Sequence, residues 1–343
     1  MRLSRSYRRQ GVSIGDVGIF TSDGGFDFLF NVCLPAGHSS NPNELPEGFS
    51  CVLLNPADVS EFHAHSSHSY LVSPSVKKRH PRGPNENYNR ATFECSGSDG
   101  AILAMPQGAY HEDLKNIRRF REYALIHAES WYVYANGPCG REIGNGDLHL
   151  VTGCDKTTSW GIATYSHLQS TRPEDNVSLR FNPVGNERQG RHSLYTTYGW
   201  DYEGVAEVKS GPEEGELMDL GLNGSVPPRN QCTFIRSLTL AFRDDDWERL
   251  QLKAESSVED QAAVRSPKSP FPSVFGAISS LSGMLSPASP DDCGHPNRHH
   301  FQGRIGFLRG HSRGGSSKVT DSMTPGQVGS YSCIIPFFKC LLS

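Results

Sequence analysis

The sequence predicts a mainly β (or α+β) domain, a sandwich or barrel-like arrangement with one substantial helix, followed by a disordered tail. Three observations carry this prediction. Short runs rich in β-branched and aromatic residues alternate with Gly- and Asp-rich turns from residue 14 to about 254. Only one stretch keeps an apolar period of three and four residues. Beyond residue 254 apolar residues thin out and Ser-Pro pairs crowd together, so little apolar surface is left to offset chain entropy. The chain therefore divides into a basic, disordered terminus at 1–13, a β-rich globular domain at 14–254 and a Ser/Pro/Gly-rich tail at 255–343. No strand–helix–strand alternation appears, which counts against a doubly wound nucleotide-binding fold.

Residues 1–9 hold four arginines and no acid, a composition shared by import peptides and by frayed basic termini. Gly11, Gly15 and Asp16 cut short any amphipathic helix there, which favours the frayed terminus. Residues 17–20 and 26–34 then flank Ser22-Asp23-Gly24-Gly25, a hairpin signal, and residues 50–54 read as another strand. The polar, Pro-rich stretch 74–89 reads as a surface loop. Residues 92–95 and 101–105 form an expected hairpin around Gly97-Ser98-Asp99-Gly100.

The helix is expected over 111–134. Leu114, Ile117, Phe120, Ala124, His127 and Trp131 recur on one face, with Lys115, Arg118, Arg119, Arg121 and Glu122 mostly opposite. Glu112 and Asp113 would sit in its first turn, and Gly137-Pro138 beyond its end, as the helix dipole favours. Its last turn, 131–134, also reads as the start of a strand. Residues 147–152 and 160–165 are expected to pair around Gly153-Cys154-Asp155-Lys156, with further strands at 178–181, 194–198 and 232–242.

Composition bounds the function. A net charge of −4 gives no global field for nucleic acid or an anionic membrane, and no apolar span of about 20 residues predicts a transmembrane helix. The nine cysteines are scattered, without a CxxC pair, and several lie in apolar runs such as Phe30-Asn31-Val32-Cys33-Leu34. That suits reduced cysteines in a cytoplasmic protein better than a disulfide framework. Asn176 and Asn223 begin glycosylation sequons, a pattern common by chance.

Several ordered blocks carry a resemblance. They are Gly15-Asp16-Val17-Gly18, Phe26-Asp27-Phe28-Leu29-Phe30-Asn31, Trp131-Tyr132-Val133-Tyr134-Ala135-Asn136-Gly137 and Gly140-Arg141-Glu142. Further blocks run from Asn145-Gly146-Asp147 through Leu148-His149-Leu150 and Gly153-Cys154-Asp155-Lys156 to Ser159-Trp160-Gly161 and Asn230-Gln231-Cys232. Over residues 15–242 the chain resembles a large family of mushroom-forming fungi. No activity is established for that family, so the resemblance implies no catalytic residue.

Chemically capable groups are densest at Arg141, Glu142, Asp147, His149, Asp155 and Lys156, among Gly140, Gly144, Gly146 and Gly153. A Gly-rich loop lets backbone N–H groups approach an anion, which Arg or Lys would complete. A phosphate loop, however, needs its glycine directly before the lysine; Asp155 stands there instead, and charged residues pairing at a turn is the simpler reading. His63, His65 and His68 are candidate zinc ligands, because imidazoles two apart on a strand share a face; a solvated loop cluster is the alternative. His295, His299 and His300 make a weaker set. Gly310-His311-Ser312-Arg313-Gly314 has nucleophile-elbow spacing, but its surroundings form no strand and no histidine follows it.

In the tail, Ser266, Ser269, Ser286 and Ser289 each precede proline, as kinase sites do, and phosphorylation would add up to about two negative charges apiece. Cys340-Leu341-Leu342-Ser343 has the form of a prenylation box, with Cys333 as a candidate palmitate acceptor for peripheral membrane association. No cofactor motif is present. The sequence is therefore read as a non-enzymatic binding domain of unknown ligand and partner. The competing reading is an enzyme acting on an anionic substrate within 139–156. An enzyme requires those side chains to converge in one enclosed cleft.

Overall fold

A computed structural model describes residues 3–79, 91–96, 98–166, 178–184, 196–204, 206–221 and 227–252, and the backbone of 327–334. In chain order these contain α1 (Arg5–Gln10), β1 (Asp16–Phe20), β2 (Phe26–Asn31), β3 (Val59–His65), β4 (Ser69–Val72) and β5 (Val76–Arg79). Next come β6 (Ala91–Cys95), β7 (Asp99–Met105), β8 (Ala109–Leu114), α2 (Ile117–Asn136), β9 (Leu148–Thr157) and β10 (Trp160–Ser166). Then follow β11 (Ser178–Val184), β12 (Thr197–Glu203), β13 (Ala206–Gly211), α3 (Glu214–Asp219), β14 (Gln231–Ala241) and β15 (Gln327–Ile334). A further helical stretch spans 244–252. The expected β-rich class with one substantial helix is what the chain adopts.

The strands form three antiparallel sheets. The large sheet runs β15-β14-β9-β1-β2, and β8, carrying β3 on its outer side, shares with β1 the same edge of β9. Ten-residue β9 makes this possible, since β1 pairs with Leu148–Leu150 while β8 pairs with residues 153–156. Two four-stranded sheets, β13-β10-β7-β4 and β12-β11-β6-β5, face each other as a sandwich. Phe93, Ile102, Ala104, Ala163, Tyr165, Leu179 and Phe181 fill the space between them. Strand β7 is apolar at every position from Ala101 to Met105 because both of its faces are covered. Ala101, Leu103 and Met105 pack on its other side with Ala109 and Phe234 of the large sheet.

Helix α2 lies on the large sheet. Phe120, Ala124, Ala128, Trp131, Tyr132 and Ala135 meet Val17, Phe30, Val32, Leu148, Leu150, Leu238 and Leu240. Trp131 is fully buried, edge-on to Phe30 at 5.6 Å. Tyr132 donates its hydroxyl to Leu240 O at 2.6 Å, so its polar end is satisfied inside the core.

Five expectations from the sequence are corrected. Residues 111–114 are strand, not helix: Glu112 and Asp113 answer Lys156 and Arg236 across β9 rather than a helix dipole. The pairs 92–95 with 101–105 and 147–152 with 160–165 are not hairpins. In each case the chain passes from one sheet to another, and the two strands pair with other neighbours. Residues 50–54 are not a strand, though Val52 N donates to Val32 O at 2.8 Å. Within 74–89, residues 76–79 form β5, and 80–89 lie outside the described residues.

The fifth correction concerns the terminus at 1–13, where α1 is folded and docked. Ser4 caps α1 by accepting from Tyr7 N, and Tyr7 is buried, stacked on Phe28 at 3.9 Å. Arg5 and Arg9 donate to Leu220 O, which closes α3, so cations meet the negative end of a helix. Of residues 255–343, only 327–334 are described. They add β15, a strand the sequence did not announce, to the outer edge of β14.

Candidate functional site

The six residues of the Gly-rich segment do not converge. Arg141, in the loop after α2, pairs with Asp27 at 3.2 Å, and Glu142 is exposed in a left-handed turn at φ 52°. Asp147 closes a turn by accepting from Gly144 N at 2.8 Å. His149 is buried within β9, edge-on to Phe20 at 4.5 Å, with Nδ1 3.2 Å from Ser237 Oγ. Asp155 and Lys156 follow one another along β9, so they project from opposite faces of the sheet.

Each of those two faces carries a polar network. On one, Asp155 Oδ1 lies 2.7 Å from His111 Nδ1 and 2.9 Å from Arg236 Nη1. Arg236 also donates to Asp113 Oδ1 and Glu112 O, both at 3.0 Å, so its guanidinium ties β14 to β8 across β9. Burial opposes its charge, but Asp155 and Asp113 outweigh that and hold its pKa above the ordinary value. On the other face Lys156 pairs with Glu112 at 3.2 Å beside Cys154 and Cys232. The Cys154 thiol is pushed well above its usual range by its hydrogen bond with Cys232 and by burial, which leaves it protonated and unreactive.

Asp16 is buried as well. Its carboxylate accepts from Asn31 Nδ2 at 2.6 Å, Ser13 N at 2.8 Å and the Tyr7 hydroxyl at 3.1 Å. Burial still prevails and raises its pKa to about 7. The Tyr7 phenol is pushed up too, first by burial and then by the Asp16 charge.

The three histidines also part company. A register shift between His63 and His65 in β3 breaks the period of two that would have placed them on one face. The His63 ring lies edge-on to Tyr110 at 5.3 Å, while His65 stacks with Phe234 at 6.2 Å. His68 turns away at φ 63°. Among the described residues no group of three or more His, Cys, Asp or Glu is placed to hold a metal ion. No helix among them is long and apolar enough to cross a membrane. Ser266, Ser269, Ser286, Ser289 and Cys340, with Asn176 and Asn223 of the sequons, lie outside the described residues; Cys333 stands in β15 opposite Arg236.

A concave site exists where the sequence reading did not look. A groove of about 630 Å³ opens between α1, the β1–β2 turn, α3 and the start of β14. Tyr7, Phe26, Trp160, Leu220 and Ile235 give it an apolar and aromatic lining. Its charged lining residues are Arg8, Glu213, Glu216 and Asp219, and Arg8 is already paired with Asp219 at 3.2 Å. The Trp160 indole N–H donates to Gln231 Oε1 at 3.0 Å, which fixes the ring in the wall. Glu213 and Glu216 form the capping box of α3, and their side chains stay exposed.

Its lining residues come from widely separated parts of the sequence, Phe26, Trp160 and Asn230-Gln231-Cys232 among them. Compared with protein-family models, with curated proteins and with solved structures, the chain matches none.

Proposed function

We propose that the folded domain is a non-enzymatic binding domain whose ligand occupies the groove between α1 and α3. The observation that carries this reading is the separation of the chemically capable residues. Arg141, Asp147, Asp155 and Lys156 each answer a different structural partner, while the groove is apolar inside and acidic at its edge. Its size suits a small molecule or a short peptide segment. With Arg8 neutralised by Asp219, Glu213 and Glu216 leave a net negative rim around Trp160 and Phe26. The ligand class this fits has an apolar or aromatic body and a positively charged end.

The test follows the Trp160 indole N–H of the full ¹⁵N-labelled chain by NMR while phenethylamine is added. Trp131, Trp200 and Trp247 do not line the groove and serve as internal controls. A saturable shift of the Trp160 signal alone is expected. An unmoved Trp160 signal, or equal movement of all four, rejects the groove as the site. The enzyme reading at 139–156 is not favoured, because its residues share no cleft.

The free thiols of Cys33, Cys95, Cys139, Cys154 and Cys232 support a reducing, cytoplasmic location. Membrane tethering through Cys340 is a separate proposal that rests on the tail sequence. Fractionation of wild type against Cys340→Ser tests it, and equal membrane association of the two removes it.

A further inference from the structure

A second concavity, of about 380 Å³, lies at the β9–β10 turn, and its charge is opposite to that of the groove. Its described lining residues include Arg229, His63 and Tyr110, with hydroxyls from Thr157, Thr158, Ser159 and Thr196, and no Asp or Glu. In a chain with net charge −4, an acid-free concavity holding an arginine and a histidine runs against the background. Fold constraints shape it. Gly108 turns at φ 74°, and a Cβ there would stand 2.2 Å from His65 O, so the β7–β8 turn closes tightly against β3.

The hydrogen-bond inventory separates the groups already used from those still available. Thr157 donates to Ser159 O at 3.1 Å, Ser159 to Gln107 Oε1, and Tyr110 to Glu61 at 2.9 Å. Glu61 accepts that bond at the pocket's edge. The Arg229 guanidinium lies over the Tyr110 ring at 4.6 Å, and the His63 ring meets the same Tyr110 edge-on. Neither Arg229 nor His63 has a carboxylate within ion-pair distance among the described residues. A guanidinium held over an aromatic face leaves its N–H donors available for a two-pronged contact with an oxyanion.

We infer that this pocket is a binding site for an oxyanion-bearing small molecule, a phosphate monoester or a carboxylate. Arg229 is its anchor, and His63 with the Thr158 and Thr196 hydroxyls forms its second wall. The site adjoins the α1–α3 groove, with which it shares Pro212, but none of its polar groups lines that groove.

The experiment is isothermal titration of the full chain with inorganic phosphate and, separately, with acetate, at low ionic strength. Saturable binding of at least one anion is expected, and the stronger of the two assigns the headgroup. Arg229→Gln weakens it roughly tenfold, as loss of a charge-assisted hydrogen bond implies. Arg229 and His63 are both exposed, so neither substitution disturbs the core. Arg229→Gln leaves the Trp160 response to phenethylamine in place, which separates failure of this site from failure of the groove. No saturable binding by the wild type, or equal affinity in Arg229→Gln, overturns the inference.

Discussion

Arg236 of β14 reaches across β9 to Asp113 of β8, with Nε 3.0 Å from Oδ1, and the bond passes directly above Gly153. A Cβ at Gly153 would lie 2.1 Å from Asp113 Oδ1 and 2.7 Å from Arg236 Nε. The absent side chain is what lets three strands share one guanidinium. Gly153→Ala should therefore destabilise the domain by about 2 kcal/mol or more through forced displacement of that pair. Denaturant unfolding with unchanged slope reads this directly, and wild-type stability in the variant would refute the close approach.

Removing the cation instead of crowding it has a different cost. Arg236→Gln leaves Asp155, largely buried, with only the His111 ring in place of the guanidinium, a loss of about 3 kcal/mol. Adding Asp155→Asn to that variant should recover part of the loss, since the stranded charge disappears. A double-mutant cycle measures the coupling, and strictly additive losses would mean the network is not shared.

Asp16 makes stability depend on pH with a definite sign. Its pKa is about 7 in the folded chain and near the ordinary 3.8 when unfolded, so the folded state holds the proton more tightly. The stabilisation is complete below about pH 4 and is lost as pH rises to about pH 7, a change on the order of 4 kcal/mol. Asp16→Asn should flatten that slope in melting curves taken across the interval. Tyr7→Phe removes a hydrogen bond to the charged form and should move the loss to higher pH, and an identical profile would contradict the contact.

The pair between Arg141 and Asp27 supplies a contrast. Both side chains are about one-third exposed, so Arg141→Ala should cost no more than about 1 kcal/mol. Groove binding should be unaffected in that variant. A large loss of either would restore Arg141 to the functional site.

What the sequence made legible follows from where burial is one-sided. The β1–β2 hairpin was visible through its Asp23-Gly24-Gly25 turn, and the buried stripe of α2 through Phe120, Ala124 and Trp131 because one face of that helix is apolar. Strand β3, Val-Ser-Glu-Phe-His-Ala-His, was missed because it pairs only with β8 and buries little. Strand β8 reads as a helix start in the sequence because Glu112 and Asp113 imitate first-turn acids. The charges of β9 were visible, but their partners lie 44 residues away in sequence for His111 and 81 for Arg236. The groove was invisible for the same reason, since Tyr7, Trp160 and Leu220 meet only after α1 has docked on the end of α3.

On the proposed reading, Glu213 and Glu216 make the α1–α3 groove a receptor for an amphipathic cation. Replacing both with Gln keeps the capping box of α3 while removing its charge. Isothermal titration of phenethylamine into the wild type and into Glu213→Gln/Glu216→Gln tests the claim most directly. Saturable wild-type binding, weakened about tenfold or more in the double variant and lost with N-acetylphenethylamine, is the predicted result. Equal affinity of both proteins, or of both compounds, would contradict it.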